Sequence, residues 1–518
     1  MFHLFPRVAV LLFLALLPSL LHAETIQDKD NDGIPDSWET TGFVNITLPD
    51  GTKQKLDLTK DGPLSPDHKD IFVWVAWMEN STHSHKPSPV ALQIVKDAFA
   101  KAPIDNLDGK SGISLHVYFN SKAISEVSML GTTDGDGNYS WTAFDKIKQQ
   151  VFPKELEHVF HFCIFAHDID TEHHSGMSKD IGGYDFIVSL GAFGLNGVAD
   201  TQSQAGTFMH ELGHNLGLRH GGSDDVNNKP NYISVMNYFF QLDGVPINGQ
   251  PANFDYSRFA LDADESSLHK EVGLNVSPAL AIYGSQYFCA NHSNSVTIDS
   301  IGSPIDWDCS GTLTGKVAAD INGDGKFSPL PGFNDWQAVR LAFPSTTSGV
   351  TPKTTLRLRE ELSLGIANTI SLPPVAHIQA AALSGGVKIW WQQVPLDRVV
   401  AYRVFRKSSA GEQVELATVE RNILVDTPPV KGAYSYFVTA LYVPFGNAQA
   451  EKPAEFFERP LGKIIANDDI IAGVAASAPL RMKSMETMGV KPRSQSGVSP
   501  PPYLVETTPS APASIVVQ

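Results

Sequence analysis

The segment His210-Glu211-Leu212-Gly213-His214-Asn215-Leu216-Gly217-Leu218-Arg219-His220 limits what this chain can fold into more than any other stretch. On a helix, residues four apart share a face with Cβ atoms roughly 5–6 Å apart. His210 and His214 can therefore chelate one ion. Neutral imidazoles suit zinc, and three protein ligands leave a fourth position for water, the layout of a catalytic site. Gly217 falls where such a helix should stop, and its permissive backbone lets the chain turn sharply. His220 then returns as the third ligand. Glu211, beside the first, can accept a proton from water at the metal. Three ordinary histidines on an amphipathic helix would not account for Glu and Gly at these positions.

Downstream stands Ser234-Val235-Met236-Asn237-Tyr238. With both stretches, the chain resembles the metzincin superfamily of zinc endopeptidases. Their extended motif is H-E-x-x-H-x-x-G-x-x-H, and they carry a methionine turn, often S-x-M-x-Y, beneath the metal. The resemblance runs from Asp70 to Tyr238 by element order and is sharp from Thr207 to Tyr238. It implies that Met236 forms a hydrophobic floor under the three imidazoles. Tyr238 is implied either as a group reaching the metal or the transition-state oxyanion, or as packing. Tyr184–Leu190 is cast as the edge strand along which a substrate peptide lies antiparallel. The implied activity is hydrolysis of peptide bonds with Glu211 as general base. Gly221, the residue after the third histidine, fits no particular branch, so the resemblance stops at the superfamily.

The order of elements agrees with such a scaffold. Ile71–Met78 reads as a strand by its β-branched and aromatic content. Ser88–Ala102 reads as a helix, Ser114–Phe119 as a strand and Trp141–Val151 as a helix. His161–Ala166 and Tyr184–Leu190 read as strands, and Asp200–Leu218 as the metal-bearing helix, capped by Asp200 or Thr201. This α/β alternation predicts a catalytic unit with a twisted mixed sheet over residues 65–345. Residues 346–372 read as a linker. Residues 373–455 show short alternating strands with turn signals, the rhythm of an all-β sandwich. That stretch resembles a fibronectin type III module, with Trp391, Tyr402, Tyr436, Val438 and Ala440 as core. Residues 456–518 are rich in Ala, Ser and Pro and read as a disordered or processing tail.

Asp28 to Glu39 matches a twelve-residue calcium loop. Asp28, Asp30, Asp32 and Asp36 supply oxygens at positions 1, 3, 5 and 9, Gly33 the turn, Ile34 its carbonyl and Glu39 position 12. Asp320, Asn322, Asp324 and Lys326 begin a second loop in the same way, for which Asp335 is the expected distant acid. The segment from Asp134 to Asn138 is shorter and can be only a turn. One or two structural calcium ions are thus expected. His83, His85, His173 and His174 lack ligand spacing to a second motif and read as solvated.

Residues 1–23 read as a cleaved secretory signal: Arg7, an apolar stretch from Val8 to Leu21, then Ala23 at the cut. That stretch is shorter than the about 20 residues of a membrane span. An extracellular or periplasmic destination follows, where a Cys289–Cys309 bridge is expected. Cys163, in a buried-strand pattern, reads as an inert thiol. With 39 Lys+Arg against 56 Asp+Glu, the net charge of -17 argues against nucleic-acid binding. The expected partners are protein or peptide substrates, with no membrane insertion. A surface or matrix partner for the sandwich is a further expectation. The competing reading is a secreted adhesion protein on a catalytically silent protease scaffold, which an intact Glu211 argues against.

Overall fold

The computed structural model describes residues 27–134, 138–194, 196–289, 294–341, 357, 361–446 and 504–517. The expected export signal at 1–23 and residues 447–503 of the sandwich boundary and tail lie outside them. The chain is a mixed α/β protein with one largely parallel sheet and several antiparallel ones.

The N-terminal acidic loop leads into helix α1 (Asp36–Thr41) and a hairpin of β1 (Phe43–Thr47) and β2 (Lys53–Asp57). There follow β3 (Asp70–Glu79), α2 (Pro89–Ala100), β4 (Ser114–Phe119), β5 (Ile124–Ser125) and α3 (Thr142–Val151). Then come β6 (Phe160–Ala166), β7 (Gly176–Ser178), β8 (Asp185–Ser189) and the long helix α4 (Thr201–Asn215). The strands lie in the order β4-β3-β6-β8-β7, with β5 extending the end of β3. All are parallel except β7, which runs antiparallel along the edge.

Central β3 is buried on both faces, which is why it reads as an unbroken apolar run. Alternate side chains go to opposite sides. Ile71, Val73, Val75 and Trp77 pack with α2 and α4. Phe72, Trp74, Ala76 and Met78 pack with α3 and the N-terminal segment. Local chemistry starts the two helices of the first face. Ser88 accepts from the Val90 amide ahead of Pro89, and Asp200 accepts from the Ser203 amide at 2.7 Å.

Three expectations need correction. Tyr184–Leu190 is not the edge: β8 lies inside the sheet, and the short return of β7 covers it. Residues 361–370 are not a linker. Leu362, Ala367 and Ile370 are buried in the same core as α4, around helix α7 (Leu364–Ala367). The end of the tail is not disordered either. Val505–Glu506 and Ala513–Val517 both pair with strand Gly432–Tyr442 of the sandwich, whose carbonyl and amide edge they satisfy.

The sandwich has a three-stranded sheet (379–383, 386–390, 423–426) and a second sheet built on 399–408 and 432–442. Trp391, Tyr402, Tyr436, Val438 and Ala440 form its core. A buried bidentate pair ties it to the first unit, Arg398 Nε to Asp243 Oδ1 at 3.1 Å and Nη2 to Oδ2 at 2.5 Å. Cys289 and Cys309 form a disulfide, and Cys163 is a buried thiol. Among the described residues, no helix is long and apolar enough to cross a membrane.

Candidate metal centre

Helix α4 carries His210 and His214 on its buried face, and it ends at Asn215. Gly217, at φ +96°, then turns the chain, a conformation open to glycine at little cost. His220 comes back so that His214 Nε2 stands 3.1 Å from both His210 Nε2 and His220 Nε2. The Nδ1 atoms of His210 and His214 face the carbonyls of Val235 and Leu218, each at 2.9 Å. Donation there fixes the tautomer and leaves the Nε2 lone pairs pointing at one another. Burial, then the neighbouring His220, holds His210 at about 4, and burial pushes His214 well below the usual range. Three imidazoles aimed at one point fit a cation there.

Glu211, fully buried, is pushed well above the usual carboxylate range, by burial first and then by the charge of Glu361. Met236 is fully buried against α4, so close that a Cβ on Gly213 would lie 2.4 Å from its Sδ. Glycine in the helix interior is the condition for that approach. The same turn supplies the Val235 carbonyl to His210. Tyr238 opens helix α5 (Tyr238–Gln241), and its hydroxyl is 3.2 Å from His220 Nε2.

Asp335 is not in a calcium loop. It starts helix α6 (Asp335–Ala338), is fully buried, and accepts from Tyr232 Oη at 2.6 Å, Ser234 Oγ at 2.5 Å and the Ser257 amide at 2.9 Å. It thus ties down the Tyr232–Ser234 stretch that precedes Met236.

A fourth group at the histidines was not legible in the sequence. Glu361, 1% exposed, places Oε2 3.5 Å from His220 Nε2 and 4.0 Å from His210 Nε2. The three histidines and Glu361 each offer an atom within 4.8 Å of the others. The segment holding Glu361 adds a rung outside the edge of the sheet. The Ser175 amide donates to Leu362 O at 2.9 Å, and the Leu364 amide to His173 O at 3.0 Å, in antiparallel sense.

In the first acidic loop, Asp28, Asp30 and Asp32 converge, and Asp32 also groups with Glu39 and Asp70. Asp70, the first residue of β3, was missed because it lies outside the loop pattern. Glu39 is 4% exposed with neither carboxylate oxygen hydrogen-bonded. Burial, then Asp32 and Asp30, pushes it up to about 9, and burial with Asp30 pushes Asp32 to about 8. A divalent cation would relieve that repulsion, and an all-carboxylate donor set suits a hard cation. Asp36 is turned away, accepting from the Lys29 amide at 2.8 Å, and the Ile34 amide donates to Asp32 Oδ1 at 2.8 Å.

In the second loop, Glu265 rather than Asp335 joins Asp320 and Asp324. Its carboxylate already accepts from the Ile321 and Ser328 amides, at 2.8 and 3.0 Å. Asn322 Oδ1 accepts from the Asp324 amide at 3.2 Å, and the Lys326 ammonium is 3.6 Å from Asp324. The reading of four histidines as solvated also fails in part. His174 is buried on Asp170 at 2.7 Å, and His83 and His85 meet His167 and Glu126.

No family model matches this chain, and no curated protein matches it. Among solved structures, it is similar to the twitchin kinase region from C. elegans (Fn31-NL-kin-CRD-Ig26) at 17% sequence identity and a TM-score of 0.12. That similarity covers 13% of this chain and 14% of the twitchin region, and a likeness so small bears on neither fold nor function.

Proposed function

We propose that this chain is a zinc-dependent endopeptidase of metzincin type, exported and stabilised by calcium in the Asp28–Glu39 loop. The observation that supports this reading most is the convergence of His210, His214 and His220 through Nε2 atoms 3.1 Å apart, with Glu211 buried on the same helix. Zinc held there would polarise a scissile carbonyl and acidify a water. Glu211 takes a proton from the attacking water and returns it to the leaving amine. Tyr238, beside His220, is placed to donate to the oxygen that gains charge. The substrate backbone pairs with the antiparallel edge at β7.

In this reading Glu361 acts as a cap. With a metal held by the three histidines, Glu361 would stand where water would bind, and its segment would lie along the edge that a substrate would use. Turnover would then require the Glu361 side chain to move off the histidines.

Casein hydrolysis with and without a zinc chelator tests the proposal. Chelator-sensitive cleavage is expected. Its absence for every protein substrate tried favours a binding protein on a silent scaffold.

A further inference from the structure

Three imidazoles and a carboxylate meet a second time, at the far ends of the parallel strands and away from α4's histidines. His83 and His85 lie just past β3, Glu126 just past β5 and His167 just past β6. His85 Nε2 is 3.2 Å from His83 Nε2, 3.2 Å from His167 Nδ1 and 3.0 Å from Glu126 Oε2. His83 Nε2 is also 3.0 Å from Glu126 Oε2.

Protons alone cannot satisfy this arrangement. An imidazole nitrogen has one in-plane position, which holds either a hydrogen or a lone pair. His85 Nε2 is approached by three acceptor-capable atoms and can serve only one of them by hydrogen bonding. A single cation at the centre would serve all four groups. Ligands about 2.0–2.1 Å from a tetrahedral zinc stand about 3.3 Å apart, and the contacts that His85 Nε2 makes to His83 Nε2, His167 Nδ1 and Glu126 Oε2 are 3.2, 3.2 and 3.0 Å.

Two of the ligands are held from outside as ligands around bound metals are. Thr82 Oγ1 meets His83 Nδ1 at 3.0 Å, and Asn80 Nδ2 donates to Glu126 Oε1 at 2.8 Å. Such outer partners fix ring orientation and raise ligand basicity. The side chains are 6–23% exposed, so the site is closed on most sides.

We propose that His83, His85, His167 and Glu126 bind a second zinc ion whose role is structural. Four protein ligands leave no position for water, which separates such a site from a catalytic one. Zinc there would staple the loop after β3 to the ends of β5 and β6. It would also brace the catalytic helix, because the Ser88 amide, three residues past His85, donates to Gln204 Oε1 of α4 at 2.8 Å.

Zinc content of the purified full chain tests this, in four forms. The wild type is expected to hold about two ions per chain, and His210→Ala with His214→Ala about one. His85→Ala with His167→Ala is expected to hold about one, and all four substitutions none. If the peptidase reading alone fails, the wild type holds about one ion that only the His85/His167 pair removes. Equal zinc content in His210→Ala/His214→Ala chains with and without His85 and His167 overturns the proposal. Cobalt loading of the His210→Ala/His214→Ala chain guards against misfolding of the multiple variant. A tetrahedral cobalt spectrum is expected there, and its absence likewise overturns the proposal.

Discussion

The two histidine clusters draw on the same ligand set, three histidines and a glutamate, and are assembled in opposite ways. The α4 cluster takes two ligands from one helix face and a third six residues on, so its register is written locally in His210, His214 and Gly217. The cluster at His85 collects ligands from three strand ends, and only the parallel sheet brings His83, His85, Glu126 and His167 together. The fourth groups differ as well. Glu126 follows β5 directly, and its own amide donates to Glu79 O at 3.1 Å. Glu361 arrives on a separate segment that pairs along an edge and buries Leu362 in the core. One cluster is braced on every side and suits a permanent ion. The other takes its fourth group from a segment beyond the edge of the sheet.

That contrast breaks most visibly in activity. His214→Ala is expected to cut casein hydrolysis more than about 100-fold, since several kcal/mol of transition-state stabilisation go with the metal. Thermal unfolding of the same variant should move little. Glu361→Gln should act in the opposite direction and raise kcat/KM on a peptide substrate about tenfold, equivalent to ~1.4 kcal/mol of capping. Unchanged activity would mean that Glu361 is no cap. His85→Ala should leave the catalytic zinc in place and lower Tm by about 4 °C or more, at roughly 2–4 °C per kcal/mol. A large loss of activity without a change in Tm would erase the distinction between the clusters.

Gly213→Ala probes the floor of the active cluster. The added methyl would press on Met236 Sδ, 2.4 Å from the ideal Cβ. An overpacking cost of about 1–3 kcal/mol is expected in denaturant unfolding.

The smallest effect concerns calcium. Folding raises the Glu39 carboxyl to about 9 and Asp32 to about 8, against about 4 in an unfolded chain. The folded, calcium-free protein therefore binds more protons than the unfolded chain between those values, and its stability falls as pH rises from about 4 to 9. Calcium should flatten that slope, so its stabilisation in thermal unfolding should be larger at pH 8 than at pH 5. Equal calcium effects at both pH values would remove Glu39 and Asp32 from the site.

How much could be read in advance follows the same division. Short-range periodicity exposed α4, the strand of Ile71–Met78 and the acidic loop around Asp32, because the ligands sit within a turn or two of one another. The pairing of Glu361 with His220, Glu265 with Asp324 and Glu126 with His85 depends on contacts tens of residues apart that no local pattern encodes. The edge strand was misplaced for a related reason. Gly176–Ser178 is too short to show alternation, whereas the apolar run at β8 marks a strand without saying which neighbour covers it. The last strands, Val505–Glu506 and Ala513–Val517, were hidden by a composition that elsewhere signals disorder.

The central claim rests on Glu211 as the base beside three zinc-binding imidazoles. Its most direct test compares wild type and Glu211→Gln for zinc content and for casein hydrolysis in the same preparations. The account expects equal zinc in both and a loss of activity of about 100- to 10,000-fold in the variant. Full activity in Glu211→Gln, with zinc retained, would contradict it.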